Sequence, residues 1–389
     1  MKRICFLVDS IFSFGGVQRV TAVIAKELSR YCEVTVVTLE NPEDKDTSMY
    51  GLDEQNICFR FFHYPKLGRV KRNINRIYSF LYRKVLPHNA LTSHLYALSS
   101  FPSPLRKALA DDLNAGKYDA VIGVHGPLAV RLATIRRRLT GMKAYGWIHN
   151  SYRAMFSNGS PYAGPELISH YEHQYRRLDK VVLLCDCDRK CYSLNTQEVC
   201  TIIHNPLTLK PGLPSDGSSK RFLAVGRFSP RHKGFDLLIE AFHIFAKENN
   251  TWCLDIVGEG PEEEMYRSLI RKYGLEQRIT LHPFTKDIQM YYSRASVFVL
   301  SSRWEGFGLV LVEAMAHGLP IVSSDLPSSR EVLGDFGMYF ANGDIISLAA
   351  RLEDATTINH KRLSAEAMAR AKRFEIAGIT SEWKEMLNL

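Results

Sequence analysis

The chain has 389 residues, 46% hydrophobic and 23% charged, which suits two or three ordinary domains with ample core. No run reaches the roughly 18 apolar residues that a spanning helix needs, and eight cysteines without small-scaffold spacing suit reduced thiols in a cytosol. The net charge of +9 favours anionic partners, although no nucleic-acid motif accompanies it.

The opening, MKRICFLVDSIFSFGG, lacks an A-x-A-like cleavage site and reads as a first strand, Arg3–Val8, rather than a signal peptide. A helix from Val17 through about Arg30 and a strand over Glu33–Leu39 follow. Gly15-Gly16 just before that helix would let backbone approach a ligand. It is not G-x-G-x-x-G, so there is no dinucleotide fingerprint, and taken by itself the pair reads as a plain tight turn. From about Asn41 to Gly116 alternation is hard to see, and the stretch reads as a helical insertion. Arg60, Lys66, Arg69, Lys71, Arg72, Arg76, Arg83 and Lys84 run through it without an acid, interleaved with Phe61, Phe62, Tyr64, Tyr78, Phe80, Leu81 and Tyr82. This pattern suits an anionic membrane surface or a negatively charged acceptor; the plain alternative is a solvated helical face.

Alternation resumes with a strand at Tyr118–Val124, a helix at Leu128–Leu139 and a strand at Lys143–Ile148 that ends at His149. Histidines at the carboxyl ends of parallel strands, His149 and His125, stand where open α/β sheets bind ligands, although a structural histidine is the plainer alternative. Pro165–Asp179 reads as helical and Lys180–Cys185 as a strand. Cys185-Asp186-Cys187-Asp188 contains a D-x-D and closely spaced thiols, but no second half of a zinc site is visible. Asp186 or Asp188 is therefore expected to cap the next helix, and no metal is expected. After a short strand, Thr201–His204, Asn205-Pro206 closes a first domain, 1–206, and the Pro/Gly/Ser-rich stretch 207–219 reads as a linker.

The second domain, 220–373, opens with a strand at Arg221–Val225 and the loop GRFSPRHKGFD, residues 226–236, before a helix at Leu237–Lys247. Arg227 and Lys233 flank that loop and can converge on one anion. A strand at Cys253–Val257 leads to Gly258-Glu-Gly-Pro261, a helix at Glu262–Tyr273, a strand at Ile279–Leu281 and then His282-Pro-Phe284-Thr-Lys286. Ala295–Leu300 reads as a buried parallel strand, followed by Glu305-Gly-Phe-Gly308 and a helix to about His317, which Gly318 and Pro320 end. The amides of Leu309 and Val310 open that helix and form an anion site. Glu313 lies too far along it to share the task of Glu305.

The string EGFGLVLVEAMAHGLPIV, with two glutamates bracketing seven residues, resembles the signature of retaining glycosyltransferases of family 4 on the GT-B fold. The resemblance covers nearly the whole chain, is strongest from Gly226 to Glu331 and is poor around Asn41–Gly116. It implies an α/β fold of two Rossmann-like doubly wound domains facing across a cleft, with a C-terminal helix, residues 374–389, crossing back to the first. In its light Gly15 and Gly16 face the donor diphosphate, and Arg227, Lys233 and the Leu309 and Val310 amides bind it. Gly258 belongs to a G-x-G-P turn on the donor side, and backbone near Phe284 meets the base. Glu305, Phe307 and Gly308 orient the hexose, Glu313 holds the ribose, and His149 contacts the sugar, with His125 as the alternative.

The implied enzyme is a retaining, metal-independent hexosyltransferase without a cofactor. Its donor would be a nucleotide-sugar, by default UDP-linked, and its acceptor a glycan or lipid-linked molecule of polysaccharide or lipopolysaccharide synthesis. It would work in the cytoplasm, on the inner face of the membrane if the basic stretch docks there. Two other readings use the same residues: a nucleotide-sugar epimerase of similar fold, and a binding protein without catalysis.

Overall fold

The computed structural model describes residues 1–53, 56–160, 162–229 and 231–389, without the side chains of Val70 and Lys71, so the Lys71 of the basic run lies outside the described residues. Two units result: 1–205 with 377–389, and 206–376.

In the first unit, β1 (Arg3–Val8), α1 (Gly16–Leu28), β2 (Glu33–Thr38) and β3 (Ile57–Phe61) lead into α2 (Arg69–Lys84), α3 (Ala90–Ser100) and α4 (Ser103–Ala115). Then come β4 (Ala120–Val124), α5 (Gly126–Ile135), β5 (Lys143–Ile148), α6 (Tyr152–Phe156), α7 (Ile168–Tyr175), β6 (Lys180–Leu183), α8 (Asp186–Arg189), α9 (Leu194–Gln197) and β7 (Cys200–Ile202). The strands form a parallel sheet in the order β3-β2-β1-β4-β5-β6-β7. The apolar runs in β1, β4 and β5 are continuous rather than alternating because these central strands are buried on both faces. Sheet order reverses between β1 and β4, which opens a crevice at their carboxyl ends.

The insertion holds a strand that the sequence pattern conceals. β3 pairs with β2, Ile57 opposite Val34, and forms an edge whose residues are only half-buried. Two of the aromatics in the basic run are inside: Tyr82 is fully buried and stacks on Tyr96 at 4.4 Å, and the buried Phe62 packs edge-on against the half-buried Tyr64. Among the described residues, the exposed large apolar groups of the hairpin are Ile74, Ile77, Phe80, Leu81 and Val85 on and after α2, and Leu91 and Leu95 on α3. Arg60 is not free either, because its guanidinium is 2.5 Å from the Asp112 carboxylate.

In the second unit, β8 (Arg221–Val225), α10 (Phe235–Glu248), β9 (Cys253–Val257), α11 (Glu263–Lys272), β10 (Ile279–His282), α12 (Gln289–Arg294) and β11 (Val297–Leu300) come first. α13 (Leu309–Ala316), β12 (Ile321–Ser324), α14 (Pro327–Leu333), β13 (Met338–Phe340), α15 (Ile345–Asp354) and α16 (His360–Ala371) complete it. The parallel sheet runs β10-β9-β8-β11-β12-β13, again reversing beside its first strand, between β8 and β11. Phe222, Phe242, Trp252, Val299 and Leu348 fill its core. The stretch read as a linker is docked on this unit: the Gly212 amide donates to His317 Nε2 at 3.0 Å and Ser293 Oγ to the Leu213 carbonyl at 2.6 Å. Turn-forming composition sets its irregular path, and these bonds remove its freedom.

The last helix, α17 (Ile376–Leu387), buries Trp383 against Trp147 of the first unit, with ring centroids 4.7 Å apart. No helix among the described residues is long and apolar enough to cross a membrane.

Candidate functional site

The loops after β8 and β11 stand at the carboxyl edge of the second sheet, on either side of its switch point. They are fastened together. Ser301 Oγ donates to the Lys233 carbonyl at 2.8 Å, the Arg303 amide to the His232 carbonyl at 2.9 Å, and the Arg303 guanidinium clamps Asp236 at 2.6 and 2.8 Å. His232, which sequence reasoning did not place, lies flat on Trp304 at 5.0 Å and 10°.

At the centre of this zip, Lys233 Nζ reaches Glu305 Oε1 at 2.5 Å, with side chains only 15% and 8% exposed. Ser302 Oγ donates to the same oxygen at 2.6 Å. Burial by itself would raise the Glu305 carboxyl; Lys233, His232 and the donors from Lys233 and Ser302 overcome it and hold the group below its usual range. The two residues assigned separate ligands by resemblance thus form one coupled pair. Ser302 is a third member that the sequence signalled only as a small polar residue next to a buried strand. Arg227 is exposed on the same loop, close enough to join burial and Lys233 in depressing His232.

Gly308 turns the chain into α13 with φ +83°, a left-handed conformation that suits glycine, and no side chain covers the helix start from that position. Leu309 and Val310 follow with amides that find no backbone acceptor among the described residues, as the first turn of a helix dictates. Phe307 is buried and its ring packs on Phe374 at 5.6 Å. Glu313 is buried inside the unit, where its Oε2 accepts from Tyr292 Oη at 2.8 Å. Gly258 is where backbones touch, because a Cβ there would stand 1.9 Å from the Gly226 carbonyl oxygen. Phe284 is exposed after β10.

In the first unit, Gly15 precedes α1, and its amide donates to Tyr50 Oη at 3.2 Å. The loop before it is held by Glu40, which accepts from the Ile11 amide at 2.8 Å. Gly16 is the first residue of α1. His149 follows β5, 7% exposed, and burial first, then His125, pushes its pKa well below 6.5, so it is neutral at pH 7. Its Nε2 is buried without a hydrogen-bond partner among the described residues, and its ring lies 4.4 Å from Trp147 and 5.5 Å from His125. His125 ends β4 with φ +76°, an unusual backbone for a residue with a side chain. The sheet brings both histidines and Asp9, at the end of β1, to one edge. Burial raises the Asp9 carboxyl, while Arg131 and His125 oppose the rise.

The D-x-D does not cap its helix. Cys185 occupies the N-cap position of α8, Asp186 binds Arg189 at 2.7 Å and Lys190 at 2.8 Å, and Asp188 accepts from the Tyr152 amide at the start of α6 at 2.8 Å. A cavity of about 590 Å³ lies at the opposite edge of the first sheet, lined by Lys143, Asp179, Thr201 and Glu382, and takes in none of the predicted residues.

Residues 208–373 match the family model described as glycosyl transferases group 1. An uncharacterized glycosyltransferase of Haemophilus influenzae is 26% identical over 100% of both chains, and the amylovoran biosynthesis glycosyltransferase AmsD of Erwinia amylovora is 22% identical, also over 100% of both. Anabaena HepE, solved in complex with UDP, has a TM-score of 0.77 at 19% identity across 100% of each chain. The likeness in structure is one of fold, and that fold is GT-B.

Proposed function

We propose that this chain, whose residues 208–373 match the family model of glycosyl transferases group 1, is a glycosyltransferase that moves a hexose from a nucleotide-sugar to a glycan or lipid-linked acceptor. The observation that supports this reading best is the coupled pair of Lys233 and Glu305 beside the open amides of Leu309 and Val310, with Arg227 exposed on the same loop system. Cations and helix amides suit the diphosphate, and a carboxylate fixed in its charged form suits sugar hydroxyls. UDP is the favoured nucleotide, since the HepE structure holds it, and a cell-surface polysaccharide or lipopolysaccharide is the favoured product, since AmsD is named for amylovoran synthesis.

In this reading the bond from the anomeric carbon to the diphosphate oxygen breaks and the acceptor hydroxyl attacks the same face. Its proton passes to the leaving phosphate, so that configuration is retained without a metal. Arg227, Lys233 and the α13 amides take up the charge that develops on the diphosphate. Glu313 is assigned to the ribose, His149 to the hexose, Gly15 and Gly16 to the diphosphate, and Gly258 and Phe284 to the rest of the donor. The exposed Ile74, Ile77 and Phe80, with Arg72, Arg76 and Lys84 around them, are assigned to an anionic bilayer surface, which would hold the enzyme on the inner face of the membrane.

The deciding experiment is a thermal-shift and donor-hydrolysis screen against UDP- and GDP-sugars with EDTA present. A shift with slow release of nucleoside diphosphate from one donor is the expected result. No shift with any donor, an isomerised donor, or turnover only after adding a divalent metal would each sink the reading.

A further inference from the structure

α3, α4, α7 and the three-residue turn after α5 bring together six basic side chains that none of the roles above uses. α3 packs on α7, α5 on both α4 and α7, and the turn Arg136–Arg138 is tied to α4, with Asn114 Nδ2 donating to the Arg138 carbonyl at 2.9 Å. His94 on α3 and His173 on α7 face each other with ring centroids 6.0 Å apart. Around His94 stand Arg177, Arg137 and Arg106, and Arg138 stands beside Arg106. Arg106 and Arg177 are half-buried, whereas Arg137 and Arg138 are exposed and leave the cluster open to solvent.

No carboxylate among the described residues lies within ion-pair distance of these four arginines. The neighbouring acids are engaged elsewhere: Asp112 with Arg60, Glu172 with Ser193, and Asp179 with Lys143 and with Arg136, the one member of the Arg136–Arg138 run that is neutralised. Among the described residues Arg106 Nε is buried without an acceptor, and the side-chain bond from Arg177 goes to Gln174 Oε1 at 3.3 Å. Burial first, and then the neighbouring guanidiniums, lowers the pKa of Arg106, Arg177 and His94 alike. A fold that gathers like charges in partial burial, and leaves a donor unpaired there, is electrostatically incomplete until an anion enters.

We propose that Arg106, Arg137, Arg138 and Arg177, with His94 and His173, form a second binding site, for a phosphate-type oxyanion carried by a soluble diphosphate or by a lipid headgroup. Planar guanidiniums arriving from different helices match the several oxygens of such a group better than they match one another. The exposed Leu91 and Leu95 on α3, the helix that carries His94, supply the apolar flank that a lipid source requires.

The test compares the full-length protein with Arg106→Gln/Arg177→Gln and with a control of equal charge change, Arg267→Gln/Arg362→Gln, whose arginines pair with exposed glutamates. No nucleotide is added, and any pyrophosphate held by the loops of the second unit is common to all three proteins, which differ only away from those loops. The probes are inorganic pyrophosphate, followed by calorimetry, and phosphatidylcholine vesicles with and without phosphatidic acid. The expected result is at least about a tenfold loss of affinity for one probe in the cluster variant and none in the control, because two charge-assisted contacts are removed. Loss with pyrophosphate assigns the soluble source, and loss confined to phosphatidic acid vesicles assigns the headgroup. In buffer free of multivalent anions the cluster variant melts no lower than wild type, because repulsion has been relieved. Equal affinities in wild type and cluster variant, or equal losses in cluster variant and control, would overturn the proposal. The comparison stands whether or not hexose transfer from a nucleotide-sugar is upheld.

Discussion

Lys233 and Glu305 show what partial burial does to a pair of opposite charges. Burial raises the Glu305 carboxyl, and the Lys233 ammonium 2.5 Å away is first among the groups that hold it charged. Lys233→Met is expected to cost about 3 kcal/mol in urea unfolding, because it strands a buried carboxylate, and a second change, Glu305→Leu, is expected to restore most of the loss. Additive losses in that cycle would mean the pair is not coupled. The pH dependence follows from the direction of the Glu305 shift. A carboxyl held below its ordinary 4.5 contributes stability that is fully present above that value and is lost as pH falls through the lower folded value. Sequence spacing marked both residues, but their contact was illegible, because 72 positions separate them and only the sheet order brings their loops together.

At the scale of elements, α2 and α3 divide their side chains in a way that composition hid. Tyr82 turns inward to stack on Tyr96 and to share a 2.9 Å hydrogen bond with Ser93, so Tyr82→Ala should destabilise the first unit by about 3 kcal/mol. Ile74, Ile77 and Phe80 turn outward at 58–62% exposure, so changing all three to serine should leave the melt almost unchanged and weaken binding to anionic vesicles. Co-sedimentation with phosphatidylglycerol vesicles measures the second effect; undiminished binding would return the hairpin to a merely solvated face. The sequence showed that basic and aromatic residues alternate here. It could not show which aromatics face the core, because helical phase depends on where α2 begins and on the neighbours α3 supplies.

At the scale of the molecule, the two sheets share one plan: a first strand with one neighbour on each side and a switch point beside it. The chain returns to the first unit only at its end, where Trp383 is fully buried against Trp147. Trp383→Ala should therefore cost about 3–5 kcal/mol, measured as a lower denaturant midpoint for the first unit with the second unit's transition unmoved. Equal shifts in both transitions would contradict the assignment of α17 to the first unit.

The strands Arg3–Val8, Lys143–Ile148 and Arg221–Val225 were legible to the residue, because a strand buried on both faces is a nearly continuous apolar run between turn residues, and Cys253–Val257 was legible although Asp255 interrupts its run. The Glu305-to-Glu313 unit was legible too, because glycines at a helix start and proline after its end are local requirements. Tertiary structure alone decided the rest. It made Asp188 the partner of α6 rather than the cap of α8, docked the stretch read as a linker, paired β3 with β2, and gathered four arginines from α4, the turn after α5 and the end of α7. Each of these depends on partners distant in the chain, and local propensity carries no information about which distant group will arrive.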